Sequence, residues 1–169
     1  MKSFLAIILF ITFIFLSCGK EEIPKSSLII KNNLLYKRDS DTPFTGREKA
    51  LVNNKIIEYD VKDGFKHGSF RIYSVDGQIE VQGQLDSNRN VGKWQYFFMD
   101  GKIESEGNFN FDQPDGKWIW NYSNGKPKET GVYKNGIRVG MWYHYDENGK
   151  IILEKNYDLE IFKSDSSAI

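Results

Sequence analysis

Residues 116–126 read GKWIWNYSNGK, and this stretch returns along the chain with a period of 24 residues. Its counterparts are GKWQYFFMDGK at 92–102, GMWYHYDENGK at 140–150 and GSFRIYSVDGQ at 68–78. Eleven glycines keep this period in three series: Gly68, Gly92, Gly116 and Gly140; Gly77, Gly101, Gly125 and Gly149; Gly83, Gly107 and Gly131. A small unit repeated at a fixed period indicates an array in which each unit packs on its neighbours. The sequence therefore predicts a repeat protein.

Each unit carries an Asp-Gly or Asn-Gly pair shortly after its large aromatic residue, as Asp100-Gly101 follows Trp94. These dipeptides favour two-residue type I′ turns, which predicts one β-hairpin for each unit. Such a turn places Trp94 opposite Gly107, and the equivalent turn places Trp118 opposite Gly131. A glycine at that position leaves room for a ring to lie across the backbone. We therefore expect a valine at Gly107 to clash with Trp94.

Alternation along these strands predicts one apolar face, which carries the tryptophans Trp94, Trp118 and Trp142, and one mostly solvated face. The fold class expected is all-β: an elongated antiparallel meander of successive hairpins, the repeat domain spanning residues 28–163. The connections between hairpins contain Gly64, Asn88, Asp112 and Gly136, which are residue types that tolerate positive φ. A shortened first unit begins at Thr45-Gly46 with a turn near residues 53–55, and residues 28–36 predict one more hairpin.

The start of the chain has the features of a secretory signal. A basic Lys2 precedes the apolar run Phe4–Leu16, which is too short to span a bilayer. Cys18, the only cysteine, follows directly. We expect a signal peptide over residues 1–17, acylation of Cys18, a flexible tether over 18–27 and a disordered tail over 164–169. An ordinary signal peptide with an incidental cysteine and a buried apolar segment remain the alternatives.

Composition argues against several kinds of chemistry. The chain has 23 basic and 23 acidic residues, so no electrostatic attraction to nucleic acid is expected. Its two histidines, His67 and His144, occur without the three or four convergent ligands that a zinc site needs. Glu104 and Glu106 share a strand whose charged side we expect to be solvated. We therefore expect no enzyme, no metal and no cofactor.

Four aromatic residues fall on the predicted solvated face, and they are the candidate binding residues: Tyr73, Phe97, Tyr143 and Tyr145. Aligned on neighbouring strands, they would form a ladder able to bind a peptide, a glycan or lipid headgroups. Cross-strand stabilisation of the sheet is the alternative explanation.

The repeated Gly-Lys-Trp and Asn-Gly-Lys elements, at Gly116-Lys117-Trp118 and Asn124-Gly125-Lys126, resemble the MORN-repeat variant family. Pro43-Phe44-Thr45-Gly46 also resembles an opening common in such proteins, and the resemblance covers about residues 28–157. It implies an antiparallel sheet of hairpins without catalytic residues. Many bacterial members carry an antitoxin-like label. The Cys18 environment resembles the lipobox of bacterial lipoproteins, and Lys20-Glu21-Glu22 resembles a surface-export signal.

These observations together predict a lipid-anchored protein of the bacterial cell envelope, with the outer membrane or the cell surface as one option for the membrane that holds it. Its repeat domain would bind or scaffold a protein partner without catalysis. An antitoxin-type protein that sequesters a toxin is the first alternative, and an enzyme of unrecognised type is the second.

Overall fold

The computed structural model describes residues 24–158. The expectations for the signal peptide, Cys18, the first part of the tether and the C-terminal tail concern residues outside this range. The elements of the described part are thirteen β-strands. They are β1 Leu28–Lys31, β2 Leu34–Lys37, β3 Gly46–Val52, β4 Lys55–Lys62, β5 Phe65–Ser74, β6 Ile79–Asp86, β7 Arg89–Phe97, β8 Ile103–Asn110, β9 Gln113–Pro114, β10 Gly116–Asn121, β11 Pro127–Lys134, β12 Ile137–Tyr145 and β13 Ile151–Asn156.

The strands from β3 to β13 form one antiparallel sheet in chain order, except that the short β9 pairs with β8 alone. Strands β1 and β2 form a separate hairpin. The predicted all-β meander of hairpins is confirmed, including the shortened first unit and the extra hairpin before it. Within residues 24–158, no helix has the length and apolar character needed to cross a membrane.

The N-terminal segment covers part of the first edge of the main sheet. The Leu51 amide of β3 donates to the Pro24 carbonyl at 3.0 Å, and the Ser26 hydroxyl donates to Glu48 at 2.7 Å. The β1–β2 hairpin docks on the turn after β4 through the Leu35 amide, which donates to the Gly64 carbonyl at 2.9 Å. These contacts satisfy backbone groups that an edge strand would otherwise expose.

The loops after the large aromatics differ from the predicted type. The Gly101 amide donates to the Phe98 carbonyl and the Phe98 amide donates to the Lys102 carbonyl, each at 2.9 Å. This pattern encloses a three-residue loop, in which Gly101 has φ 81° and Asp100 stays at negative φ. The expected two-residue type I′ turn at the Asp-Gly and Asn-Gly pairs is therefore wrong. The loop combines a turn with a bulge instead, and only its glycine needs the left-handed conformation.

The two-residue turns occur at the opposite ends of the strands, in the connections between the predicted hairpins. Lys134 pairs with Ile137, and between them Asn135 and Gly136 have φ of 49° and 81°. Asn88 and Asp112 also have positive φ, at 68° and 70°, as expected from their residue types. Two positive φ values in succession identify type I′ turns, so the two loop types alternate along the sheet.

The alternation of loops explains why the first unit is two residues shorter than the others. Its strands β3 and β4 pair without interruption through the two-residue turn Asn53-Asn54. In the later hairpins the turn has three residues, and one bulge residue interrupts the register, as between Tyr96 and Phe97. One loop residue and one bulge residue account for the difference.

The predicted pairing of the tryptophans is confirmed, but their rings lie elsewhere. Trp94 pairs with Gly107, and Trp118 with Gly131. A Cβ added to Gly107, however, would lie 2.1 Å from the indole of Trp118, which belongs to the following unit. The Trp118 Nε1–H donates to the Asn108 carbonyl at 3.1 Å and holds the ring over the preceding strand. The expected clash of Gly107→Val with Trp94 is therefore wrong, and Trp118 is the ring that a larger side chain would meet.

The same arrangement repeats along the sheet and produces its core. Trp94 covers Gly83, and Trp142 covers Gly131, with added Cβ atoms at 2.2 and 2.0 Å from the rings. The three tryptophans are 5 % exposed or less. Ring contacts at 4.9–6.3 Å connect the aromatic side chains of this face in a continuous ladder: Phe70, Trp94, Phe109, Trp118, Trp120, Tyr133, Trp142 and Tyr157. We call this the indole face; aromatic packing fills it with the protein's own side chains.

Candidate functional site

The opposite side of the sheet, which we call the second face, carries the four candidate aromatics in two separate pairs. Tyr73 lies on β5 and Phe97 on β7, whereas Tyr143 and Tyr145 both lie on β12. The repeat period makes residues 73, 97, 121 and 145 equivalent positions. At residue 121 the aromatic side chain is replaced by Asn121, whose side-chain amide donates to the Ile103 carbonyl at 3.0 Å. Within the described residues no ring contact links the four aromatics. The structure thus separates the expected ladder into two sites, because the repeat changes residue type at β10.

The pair on β12 belongs to an apolar patch. Tyr143 pairs with Thr130, and Val132 pairs with Val139 across β11 and β12. Strand alternation brings the apolar patch to one side of the sheet; we define it as Val132, Val139, Met141, Tyr143 and Tyr145. Val132 is 43 % exposed and Met141 is 37 % exposed. The Tyr145 hydroxyl lies 3.3 Å from the Thr130 hydroxyl, and Tyr143 and Tyr145 are both half-buried.

The pair Tyr73 and Phe97 lies beside a polar groove made of two hollows. The first hollow has a volume of about 420 Å³ and is bordered by Ser69, Arg71, Gln82, Gln84 and Lys93. The second has a volume of about 200 Å³ and is bordered by Lys93, Glu106, Asn108, Lys117 and Ile119. Lys93 borders both hollows. Most residues that line the second hollow lie 24 positions after a residue that lines the first, and 24 residues is the repeat period. We call the two hollows together the polar groove; the sequence alone could not single it out, because its residues look like ordinary solvated positions.

A relay of hydrogen bonds crosses the polar groove. The Gln82 amide donates to Gln95 at 2.6 Å, and the Gln95 amide donates to Glu106 at 2.8 Å. Lys93 Nζ also lies 2.9 Å from Glu106. The pKa of Glu106 is lowered, first by the hydrogen bond from Lys93 and then by that from Gln95, while burial acts in the opposite direction.

The C-terminal end of the indole face holds a second charged cluster. The guanidinium of Arg138 lies 3.9 Å from the ring centre of Trp142 and donates to Glu129 at 2.7 Å and to the Tyr157 hydroxyl at 3.1 Å. His144 Nε2 lies 3.7 Å from the same Glu129 oxygen. Cation–π stacking on Trp142 and two hydrogen bonds from Nη1 of Arg138 therefore hold the last strands, β11 to β13, together.

Residues 24–158 contain no group of three or more His, Cys, Asp or Glu side chains arranged to hold a metal ion. The other histidine, His67, is exposed, and its Nδ1 lies 3.2 Å from Asp86. Glu104 is exposed at the hairpin end of β8, while Glu106 is engaged in the relay. The two glutamates therefore do not converge on a common point in a way that general acid–base catalysis requires.

Three consecutive stretches, residues 90–110, 114–135 and 138–159, match the family model described as the MORN repeat variant. No curated protein gives a significant match. The matched stretches cover most of β7 to β13 and contain all three Gly-x-Trp elements whose indoles cover the preceding strands. Repeats of this family are typically non-catalytic binding modules. Residues 90–159 of this chain therefore carry three consecutive repeats that match the MORN repeat variant.

Proposed function

We propose that this protein is a lipid-anchored envelope protein whose repeat sheet binds a protein partner through the apolar patch on β11 and β12. The observation that supports the proposal is the contrast between the two faces. The indole face is filled by its own aromatic ladder, whereas the apolar patch leaves Val132 and Met141 more than a third exposed beside two tyrosines.

The composition of the apolar patch suits a protein partner. Tyrosine and methionine are enriched at the centres of protein interfaces, and charged side chains are depleted there. Tyr143 and Tyr145 lie on a strand within a continuous sheet, so their backbone positions are fixed before binding. A rigid aromatic anchor loses little conformational freedom on binding.

The N-terminal sequence supports the proposed anchor. An apolar run ends at Leu16, and Cys18 offers the thiol that bacterial lipoproteins acylate. A nearly neutral chain has no basic patch to hold it at a membrane, so two or more acyl chains would supply the attachment. Because Pro24 and Ser26 are bonded to β3, the stretch from residue 18 to 23 would then connect the repeat sheet to that membrane and keep it within reach of partners there.

Mass spectrometry of the mature N-terminus, on protein from fractionated native cells, tests the anchor. We expect an acylated Cys18 in the membrane fraction. An unmodified Met1 in the cytosol would overturn the anchor and would favour the antitoxin-type alternative.

Photo-crosslinking in cells tests the apolar patch. A photoreactive residue at Tyr143 should give one defined crosslinked species, and the Tyr145→Ser substitution should abolish it. A photoreactive residue at Met99 serves as the control, because Met99 is 89 % exposed but lies on a loop away from the patch. Equal crosslinking from both positions, or no dependence on Tyr145, would contradict the proposal.

A further inference from the structure

We infer that the polar groove, together with Tyr73 and Phe97, forms a binding site for a linear, hydroxyl-rich glycan that runs across the strands. This site is separate from the apolar patch. It lies on β5 to β10, and the patch lies on β11 and β12.

The spacing of the polar groove is the first argument. Equivalent positions in consecutive units are two strands apart, which corresponds to about 10 Å. The two hollows that share Lys93 therefore present polar groups at this interval, Gln82 and Gln84 in the first hollow and Glu106 and Asn108 in the second. One disaccharide of an extended β-linked glycan covers about the same length, so successive disaccharides would meet successive hollows.

The direction of the polar groove is the second argument. It crosses the strands, whose N–H and C=O groups are used in the sheet by neighbouring strands. An extended peptide in this direction could not add its backbone to the sheet. Recognition therefore depends on the side chains of the groove. A glycan fits this requirement, because each of its many hydroxyl groups can form a hydrogen bond with a side chain.

The amide relay supplies suitable partners. Gln82 uses one amide hydrogen on Gln95, and Gln95 uses one on Glu106. Each amide has two hydrogens and a carbonyl oxygen with two lone pairs, so each keeps donor and acceptor capacity for a ligand. Sugar hydroxyls both donate and accept, which matches this mixed capacity.

The charges of the polar groove favour a neutral ligand. Arg71 lies 3.6 Å from Glu58, and Lys93 lies 2.9 Å from Glu106. An anionic ligand would have to compete with these carboxylates for Arg71 and Lys93, the two cations of the first hollow; the third cation of the groove, Lys117, borders the second hollow. A neutral glycan can bind beside the ion pairs and leave them intact.

The two aromatic rings complete the site. Tyr73 follows Arg71 by two positions on β5, and Phe97 follows Gln95 by two positions on β7, so each ring shares the face of the groove. Both rings are half-buried, so part of each remains accessible to a ligand. The electron-rich face of an aromatic ring attracts the C–H groups on the apolar side of a sugar.

Isothermal titration of the full chain in detergent micelles tests the inference. The probes are cellohexaose and chitohexaose, which are extended β-linked oligosaccharides, with maltohexaose as the curved α-linked control and polyglutamate as the anionic control. We expect saturable binding of a β-linked hexasaccharide and none of maltohexaose or polyglutamate. Phe97→Leu or Gln95→Met should weaken that binding by about three- to tenfold, the loss of one stacking or hydrogen-bonding group.

The control variant is Tyr145→Ser, which should bind the oligosaccharide like the parent while it loses partner crosslinking at the apolar patch. Thermal melting checks that each variant stays folded. No binding of either β-linked hexasaccharide, equal binding by Gln95→Met and the parent, or preferential binding of polyglutamate would overturn the inference. None of these results would change the crosslinking expected at Tyr143. The proposed partner site is therefore tested independently of the glycan site.

Discussion

At the residue scale, the sheet is organised by a close contact between a glycine and an indole from the next unit. The Trp118 ring occupies the space that a Cβ on Gly107 would fill, and its N–H is satisfied by the Asn108 carbonyl. The 24-residue period shows only that the glycines and the tryptophans recur at a fixed spacing and are therefore paired in some way. It could not show which of two flanking tryptophans covers the glycine, because the direction of the ring depends on its χ angles and on the indole acceptor.

The contact predicts a specific pattern of coupling. Gly107→Ala should destabilise the protein by about 1–3 kcal/mol, since the methyl group overpacks against the ring. Trp118→Leu in the same chain should relieve part of this loss and give a coupling energy of about 0.5–3 kcal/mol, whereas Trp94→Leu should give none. Urea denaturation of the single and double variants measures both cycles. Coupling to Trp94 instead would contradict the structure.

The relay at Glu106 predicts a dependence of stability on pH. Because the pKa of Glu106 is lowered below its usual 4.5 in the folded protein, its contribution is present above that pH and is lost as the pH falls through the lowered pKa. When the pH falls from about 6 to about 3, the Glu106→Gln variant should therefore lose less thermal stability than the parent protein. Melting curves at several pH values test this. Parallel curves for the two proteins would show that the relay carries no net electrostatic stability.

At the scale of the element, two loop types alternate at the ends of the strands. The sequence contains Asp-Gly or Asn-Gly pairs at both kinds of loop, as in Asp76-Gly77 and Asn135-Gly136. A dipeptide pattern therefore predicts hairpins correctly and assigns the turn type wrongly at one end. The deciding factor is the number of residues between the pairing positions, which depends on the bulge at residues such as Glu80 and cannot be read from the dipeptide.

The two loop types predict opposite results for the same substitution. Asn135→Ala should cost about 1–2 kcal/mol, because Asn135 has φ 49° and alanine is strained there. Asp76→Ala should change stability by about 0.5 kcal/mol or less, because Asp76 is exposed and keeps negative φ. Chemical denaturation of the two variants compares the loops. Equal losses would restore the type I′ assignment at Asp76-Gly77.

At the scale of the whole molecule, each unit is fixed mainly by its neighbours. Lys126 Nζ donates to the Asn148 carbonyl at 3.1 Å, and the Gly136 amide donates to the Pro114 carbonyl at 2.8 Å. The meander could be predicted from the period, because neighbouring units must share edges. The two surface sites could not, because the polar groove and the apolar patch arise where equivalent positions change residue type, from Arg71 to Tyr143.

A nearest-neighbour arrangement predicts local effects of damage. Trp142→Leu should lower hydrogen-exchange protection in β11 to β13 and leave β3 to β6 protected, since distant units do not contact the substituted one. Trp118→Leu should instead lower protection on both sides of β10. Exchange measured by mass spectrometry separates the strands. Uniform loss across the sheet in the Trp142 variant would show that the array unfolds as one cooperative unit.

The overlap of each indole with the preceding unit also limits how the array can lengthen in evolution. The period places Lys155 of β13 at the position that Gly83, Gly107 and Gly131 occupy, and it places Ser166 where the next indole would stand. Lys155 itself extends its ammonium group over the ring of Tyr157, 4.5 Å from the ring centre. A unit appended after β13 would bring its tryptophan onto Lys155, so the substitution of Lys155 by glycine would have to accompany the duplication. Duplication of an internal block of 24 residues meets no such obstacle, because every new glycine arrives with its own indole.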